Sequence, residues 1–105
     1  MIAALLSGLC STSLLAGWSQ SFSSSNFGYW NISVPSGCSV SGSAMVSDGT
    51  SSGAVHIDVG GIGTLVEIWE SGYGSSYQSA SGPAGTYTVY LRLNGSGYVQ
   101  ADLSW

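Results

Sequence analysis

The sequence predicts an all-β fold: an antiparallel β-sandwich or jelly roll of about seven to eight strands, preceded by an apolar N-terminal segment. Three observations lead there. Apolar and polar residues alternate with period two from Trp30 onward, Gly/Ser-rich turns punctuate that alternation, and no stretch after Gly17 shows the helical period of 3.6. A chain of 105 residues with 44% hydrophobic content can bury one core. The sequence divides into an assembly or anchor segment at 1–17, a Ser-rich linker at 18–26 and the β domain at 27–105.

The first element, MIAALLSGLCSTSLLAG, carries no charged residue and must be buried in something. As a signal peptide it lacks a basic residue after Met1. As a lipidation signal at Cys10 it has Leu9 where a small residue is expected. As a membrane span it is short and interrupted by Ser7, Gly8, Ser11, Thr12 and Ser13. The reading that fits best is an assembly element in which Ile2, Leu5, Leu6, Leu9, Leu14, Leu15 and Trp18 bury against a neighbouring subunit, as in strand addition to an open sheet edge. Cys10 and Cys38 are the two cysteines; they form either one stapling disulfide or two separate buried thiols.

Ser19 to Asn26 reads as a polar linker. Trp30, Ile32 and Val34 share one parity before Pro35-Ser36-Gly37 breaks the strand. Cys38, Val40, Gly42, Ala44 and Val46 then face inward, with Ser39, Ser41, Ser43, Met45 and Ser47 outward. A turn-rich loop spans 47–53. Val55, Ile57 and Val59 point inward, leaving His56 and Asp58 on the opposite face. After the Gly60-Gly61-Ile62-Gly63 bend, Val66 and Ile68 face in and Glu67 and Trp69 out. Residues 71–85 read as a long loop holding one short strand near Tyr77–Ala80. The C-terminal alternations, Tyr87/Val89/Leu91/Leu93 and Val99/Ala101/Leu103/Trp105, match as a hairpin through Gly95-Ser96-Gly97. That register sets Arg92 beside Gln100 and Asp102.

From Ala54 to Trp105 the chain resembles the pre-peptidase C-terminal domains, small jelly rolls of secreted bacterial and archaeal proteases. The residues that carry the resemblance are Gly63-Thr64-Leu65-Val66-Glu67-Ile68-Trp69, Gly82-Pro83-Ala84-Gly85-Thr86-Tyr87-Thr88-Val89-Tyr90-Leu91, and Gly95 to Leu103. The resemblance implies a fold and an extracellular setting, not a reaction.

Composition excludes several functions. Only 6% of residues are charged, against about 25% in ordinary soluble domains. Arg92 is the one Lys or Arg in a chain of net charge −4, so phosphate neutralisation, and with it nucleic-acid binding, is excluded. A surface of Ser, Thr, Gly and Asn suits the extracellular space, a cell surface or a virion surface. Asn31 and Asn94 head glycosylation sequons.

No catalytic residue is assigned. His56 and Asp58 share a strand face, an arrangement most often no more than a solvated pair. Gly49 to Gly53 matches a hydrolase elbow only outside its strand-to-helix context. Glu67 and Glu70 alternate to opposite faces of a strand. No metal site and no cofactor are expected, since Asp48 lacks a nearby second acid. Tyr29, Trp69, Tyr73, Tyr77, Tyr90 and Tyr98 are the surface aromatics; they pack locally, form a protein interface or stack on sugars. The expected function is that of a non-enzymatic extracellular structural subunit of a homo-oligomer or polymer, a filament, coat or surface layer, or one fixed to a membrane through 1–17. The second reading is a secreted carbohydrate-binding or accessory module with glycan partners.

Overall fold

A computed structural model describes residues 17–71 and 76–105. Six strands form: β1 (Gly17–Phe22), β2 (Asn26–Val46), β3 (Ser52–Val59), β4 (Gly63–Ser71), β5 (Ser76–Asn94) and β6 (Val99–Ser104). All pair antiparallel in one sheet of order β1-β6-β2-β5-β3-β4.

Two long strands turn this sheet into a sandwich. The first half of β2 pairs with the second half of β5, and β3 and β4 extend that layer. The second half of β2 pairs with the first half of β5 on one side and with β6 on the other, and β1 closes that layer. The six strands therefore supply eight strand segments, four to a layer. The layers meet face to face. A side chain at Gly42 would meet Leu65, Leu103 and Ile57, and one at Gly53 would meet Val99 and Val46. Close approach of the layers thus requires glycine at both places.

The bend lies where the sequence placed a break. Val34 faces Gly85 and Ser39 faces Pro83, so Pro35 to Cys38 of β2 stand against Ala84 alone across the fold line. Gly37 (φ 88°) and Gly85 (φ 148°) occupy backbone space that favours glycine. The expected loop at 71–85 is shorter than predicted, because β5 already begins at Ser76.

The core holds Ile32, Val34, Cys38, Val40, Ala44, Val46, Val55, Ile57, Val59, Val66, Ile68, Tyr87, Val89, Leu91, Leu93, Val99, Ala101 and Leu103. Each inward parity assigned from sequence to these residues holds. The C-terminal hairpin does not form. β5 pairs with β2 and β3, whereas β6 pairs with β1 and β2 in the opposite layer. Leu91 and Leu93 meet the core from one side and Ala101 and Leu103 from the other. The 94–98 loop crosses between layers, with Gly95 (φ 93°) and Gly97 (φ 128°) bent around Thr50 and Ser51. Buried Thr50 fastens this crossing: its hydroxyl donates to Ser47 O at 2.7 Å and accepts from Tyr98 N at 3.1 Å.

β1 (Gly17–Phe22) takes in Gly17, expected as the end of the apolar segment, and residues 18–22, expected as part of the linker. Trp18 and Phe22 turn toward the core and set their rings 5.5 and 6.0 Å from Trp30. The assembly residues Ile2, Leu5, Leu6, Leu9, Leu14 and Leu15, together with Cys10 and Tyr73, lie outside the described residues. Trp18, the remaining residue of that set, is half-buried opposite Leu103.

Candidate ligand-binding face

The two outer faces of the sandwich differ. On the β1-β6-β2-β5 layer, Ser19, Ser21, Ser39, Ser41, Ser43, Ser79, Ser81 and Ser104 alternate outward. On the β2-β5-β3-β4 layer the register orders outward positions, many of them aromatic or charged, in three rows. Phe27, Arg92, Ala54 and Trp69 form the first row. Tyr29, Tyr90, His56 and Glu67 form the second, and Asn31, Thr88, Asp58 and Thr64 the third.

Period-two alternation puts these residues together, since each strand contributes alternate positions to one face. Tyr29 and Tyr90, directly opposite, set their rings 4.8 Å apart. Trp69 stands edge-on to His56 at 6.2 Å. Ala54 is fully buried between Arg92 and Trp69, so the first row dips where its neighbours are tall. Phe27 and Tyr29 are each 68% exposed and Trp69 58%. These are large apolar side chains kept in water on one face.

His56 organises the polar part. Its Nε2 lies 2.9 Å from Asp58 Oδ1 and its Nδ1 3.4 Å from Glu67 Oε2. A carboxylate beside each nitrogen fixes the ring. Thr64 Oγ1 is 3.3 Å from Nε2, farther than Asp58, so that nitrogen is already committed to a carboxylate and is not poised to activate the hydroxyl. Thr88 Oγ1 donates to Asn31 Oδ1 at 2.9 Å, which holds the sequon asparagine to the sheet. Among the described residues, no group of three or more His, Cys, Asp or Glu stands where it could hold a metal ion.

Two shallow cavities follow. One of about 420 Å³ is lined by Tyr29, His56, Asp58, Trp69, Thr88, Tyr90 and Arg92. The other, about 450 Å³, is lined by Ser25, Asn26, Phe27, Arg92, Leu93 and Asn94. Arg92 belongs to both.

Of the aromatics expected at the surface, Tyr29, Trp69 and Tyr90 come together here. Tyr77 is exposed opposite Met45 on the other layer. Tyr98 donates to Gln100 Oε1 at 2.7 Å, and Gln100 Nε2 donates to Asp102 Oδ2 at 2.8 Å. That ladder also lies on the other layer. The expected pairing of Arg92 with Gln100 and Asp102 is therefore replaced: Arg92 faces Phe27 and Ala54. Phe27 and Arg92 are site residues that the sequence reading passed over. The signal was Arg92 sharing parity with Tyr90 and Thr88. Asn94 is exposed at the rim of the second cavity, and Cys38 is 6% exposed on the core side of β2.

No family model and no curated protein matches the chain. Solved structures do. A subunit of the disulfide-linked pili of Bacillus endospore appendages is similar over 88% of this chain and 86% of its own, at 12% identity and a TM-score of 0.47. The C-terminal family 6 carbohydrate-binding module of a laminarinase from Zobellia galactanivorans is similar over 88% of this chain and all of its own, at 14% identity and a TM-score of 0.42. A family 6 module of Cellvibrio mixtus lichenase 5A, solved with cellotriose, covers 78% of this chain and 72% of its own, at 13% identity and a TM-score of 0.40. At these identities and TM-scores the likenesses add nothing to what the strand pairing itself shows, an all-β antiparallel sandwich.

Proposed function

We propose that the protein is a non-enzymatic extracellular β-sandwich module that holds a polysaccharide chain on the outer face of its β2-β5-β3-β4 layer. The observation that carries this reading is the segregation of the two faces. Exposed Phe27, Tyr29 and Trp69 stand with Tyr90, His56, Asp58, Thr88 and Arg92 on one layer, while the other is mostly serine, with Tyr77 as its exposed aromatic and Tyr98, Gln100 and Asp102 hydrogen-bonded to one another. Sugar rings present apolar C–H faces and hydroxyl edges. Aromatic planes with donors and acceptors between them match both, and an open, shallow cleft suits an extended chain. The low charge and Ser/Thr/Gly surface agree with an extracellular setting. The test is native affinity electrophoresis of the full-length chain through gels containing hydroxyethylcellulose, xylan, starch or polygalacturonate. At least one polymer is expected to retard the protein, and a Trp69→Ala/Tyr29→Ala variant to migrate freely. Free migration of the parent in all four gels, or equal retardation of the variant, overturns the reading.

A second reading is favoured by the uncharged run at 1–17. Among the described residues β1 pairs on one side only, with β6, and stands at the edge of the sheet, a position suited to strand addition. In this reading Ile2, Leu5, Leu6, Leu9, Leu14 and Leu15 bury in a neighbouring subunit and build a filament or coat, with Cys10 bridged to Cys38 as the staple. Negative-stain images of the chain with and without residues 1–17 test it; polymers that persist after truncation refute it. The two readings are compatible, since one uses a sheet edge and the other a sheet face.

A further inference from the structure

Arg92 is the single cation of Lys or Arg type in the chain, and its position on the proposed ligand face is unusual. It lines both cavities, between exposed Phe27 on one side and Ala54 and Trp69 on the other. Among the described residues no carboxylate lies within ion-pair distance of it. Its Nε is buried without a hydrogen-bond partner. The two carboxylates of this face are both held by His56. Among the described residues, the guanidinium of Arg92 thus lies half-buried on this face with no carboxylate beside it.

We infer that Arg92 makes this face selective for acidic polysaccharides, taking the carboxylate of a uronic acid residue while the sugars on either side lie in the two cavities. The inference rests on the polysaccharide reading above and names the class of sugar. A guanidinium presents a planar fork that matches a carboxylate with two parallel hydrogen bonds, and partial burial weakens the competition from water. Arg92 lines both cavities, of about 420 and 450 Å³, so a ligand in either lies against it. Aromatic planes at both ends, Trp69 and Phe27, give the flanking sugars surfaces to stack on.

The net charge of −4 opposes an anionic ligand, and distance decides how much. Asp58 is four residues along β3 from Ala54, the partner of Arg92, so its backbone lies about 13 Å away along the strand. Glu67 is two strands across and two residues along, about 12 Å away. Both separations exceed the Debye length of about 8 Å at physiological salt, and both acids sit against an imidazole. Asp58 lines the same cavity as Arg92, so the ligand's carboxylate must sit against Arg92, where contact attraction exceeds the screened repulsion.

The test is isothermal titration of the full-length protein with galacturonate and glucuronate tetrasaccharides against cellotetraose and xylotetraose, at low and at physiological salt. The expected result is acidic over neutral binding by at least about tenfold, the scale of one charged hydrogen-bonded contact, with weakening as salt rises. Arg92→Gln removes the preference and brings acidic sugars to the level of neutral ones. Arg92→Lys keeps the charge, loses the fork and recovers part of the preference. Thermal melts of both variants are compared with the parent, and the Lys variant supplies the answer if the Gln variant does not fold. Equal binding of acidic and neutral sugars, or a preference unchanged in both variants, overturns selection by Arg92 and leaves the polysaccharide face standing. Absence of binding to all four tetrasaccharides overturns selection by Arg92, and together with free migration in all four gels it overturns the polysaccharide face as well.

Discussion

The fold line of β5 offers the sharpest test of how this sandwich is built. Tyr87 is fully buried just past that line, and its hydroxyl donates to Pro83 O at 2.6 Å, clamping the strand where it passes between layers. The hydroxyl has room because residue 82 is glycine: a Cβ there would lie 2.5 Å from Tyr87 Oη, 3.2 Å from Leu65 Cδ1 and 3.6 Å from Tyr87 Cζ. Tyr87→Phe loses one hydrogen bond to the carbonyl of exposed Pro83, a cost of about 0.5–1.5 kcal/mol. Gly82→Ala alone forces a methyl against the hydroxyl and costs about 1–3 kcal/mol as overpacking. With Phe at 87 the nearest ring atom is 3.6 Å away, an ordinary contact, and the flexible end of Leu65 can yield. The Ala then gains about 0.4–1 kcal/mol from the less entropic unfolded chain, since the Gly82 φ lies outside the glycine-favoured range. The double variant is thus expected to be no less stable than Tyr87→Phe alone, with a coupling energy of about 1–3 kcal/mol. Urea melts of the four proteins measure it, with Tm differences of about 4–8 °C per kcal/mol as a check. Effects that add to within about 0.5 kcal/mol refute the stated contact between the two positions.

Burial raises the pKa of Tyr87, so the folded chain keeps its phenolic proton to higher pH than the unfolded chain does. The resulting stability is fully present below the unfolded value of about 10 and is lost as pH rises through the folded one; alkaline urea melts will show that loss in the parent and a smaller one in Tyr87→Phe. Thr50→Val is expected to destabilise by about 1–3 kcal/mol, because Tyr98 N loses its acceptor at a buried site; an unchanged melt would show that the loop crossing does not depend on this hydroxyl.

Alternation made the faces legible and left the partners hidden. Val55, Ile57, Val66, Ile68, Leu91 and Leu103 were assignable to the core because a strand buried on one side must alternate. The same pattern could not say whether β5 and β6 lie edge to edge in one layer or face each other across the core, since both arrangements bury the same residues. Glycines in a short connection suggested the hairpin; in the structure they let the connection cross past Thr50. That misassigned partner carried Arg92 to the wrong face. Pro35 and Gly37 were rightly read as an interruption, but the interruption is a fold line within β2, invisible without knowing that both halves share β5 as a partner. Residues 18–22 looked like part of a linker because only Trp18 and Phe22 mark the inner face of β1. The ligand face was half legible: His56 with Asp58, and Tyr29, Trp69 and Tyr90 as surface aromatics, were each visible, while their assembly into rows needed the strand order.

The most direct measurement uses the four tryptophans of the chain as reporters. Trp69 lies on the proposed face, Trp18 and Trp30 pack against the core and each other, and Trp105 borders the serine-rich layer. In an NMR titration of the indole N–H signals with the galacturonate and glucuronate tetrasaccharides, the account predicts that Trp69 shifts progressively to saturation while the other three stay in place. Saturable shifts of Trp105, Trp18 or Trp30 with Trp69 unmoved, or no shift of any indole, would contradict it.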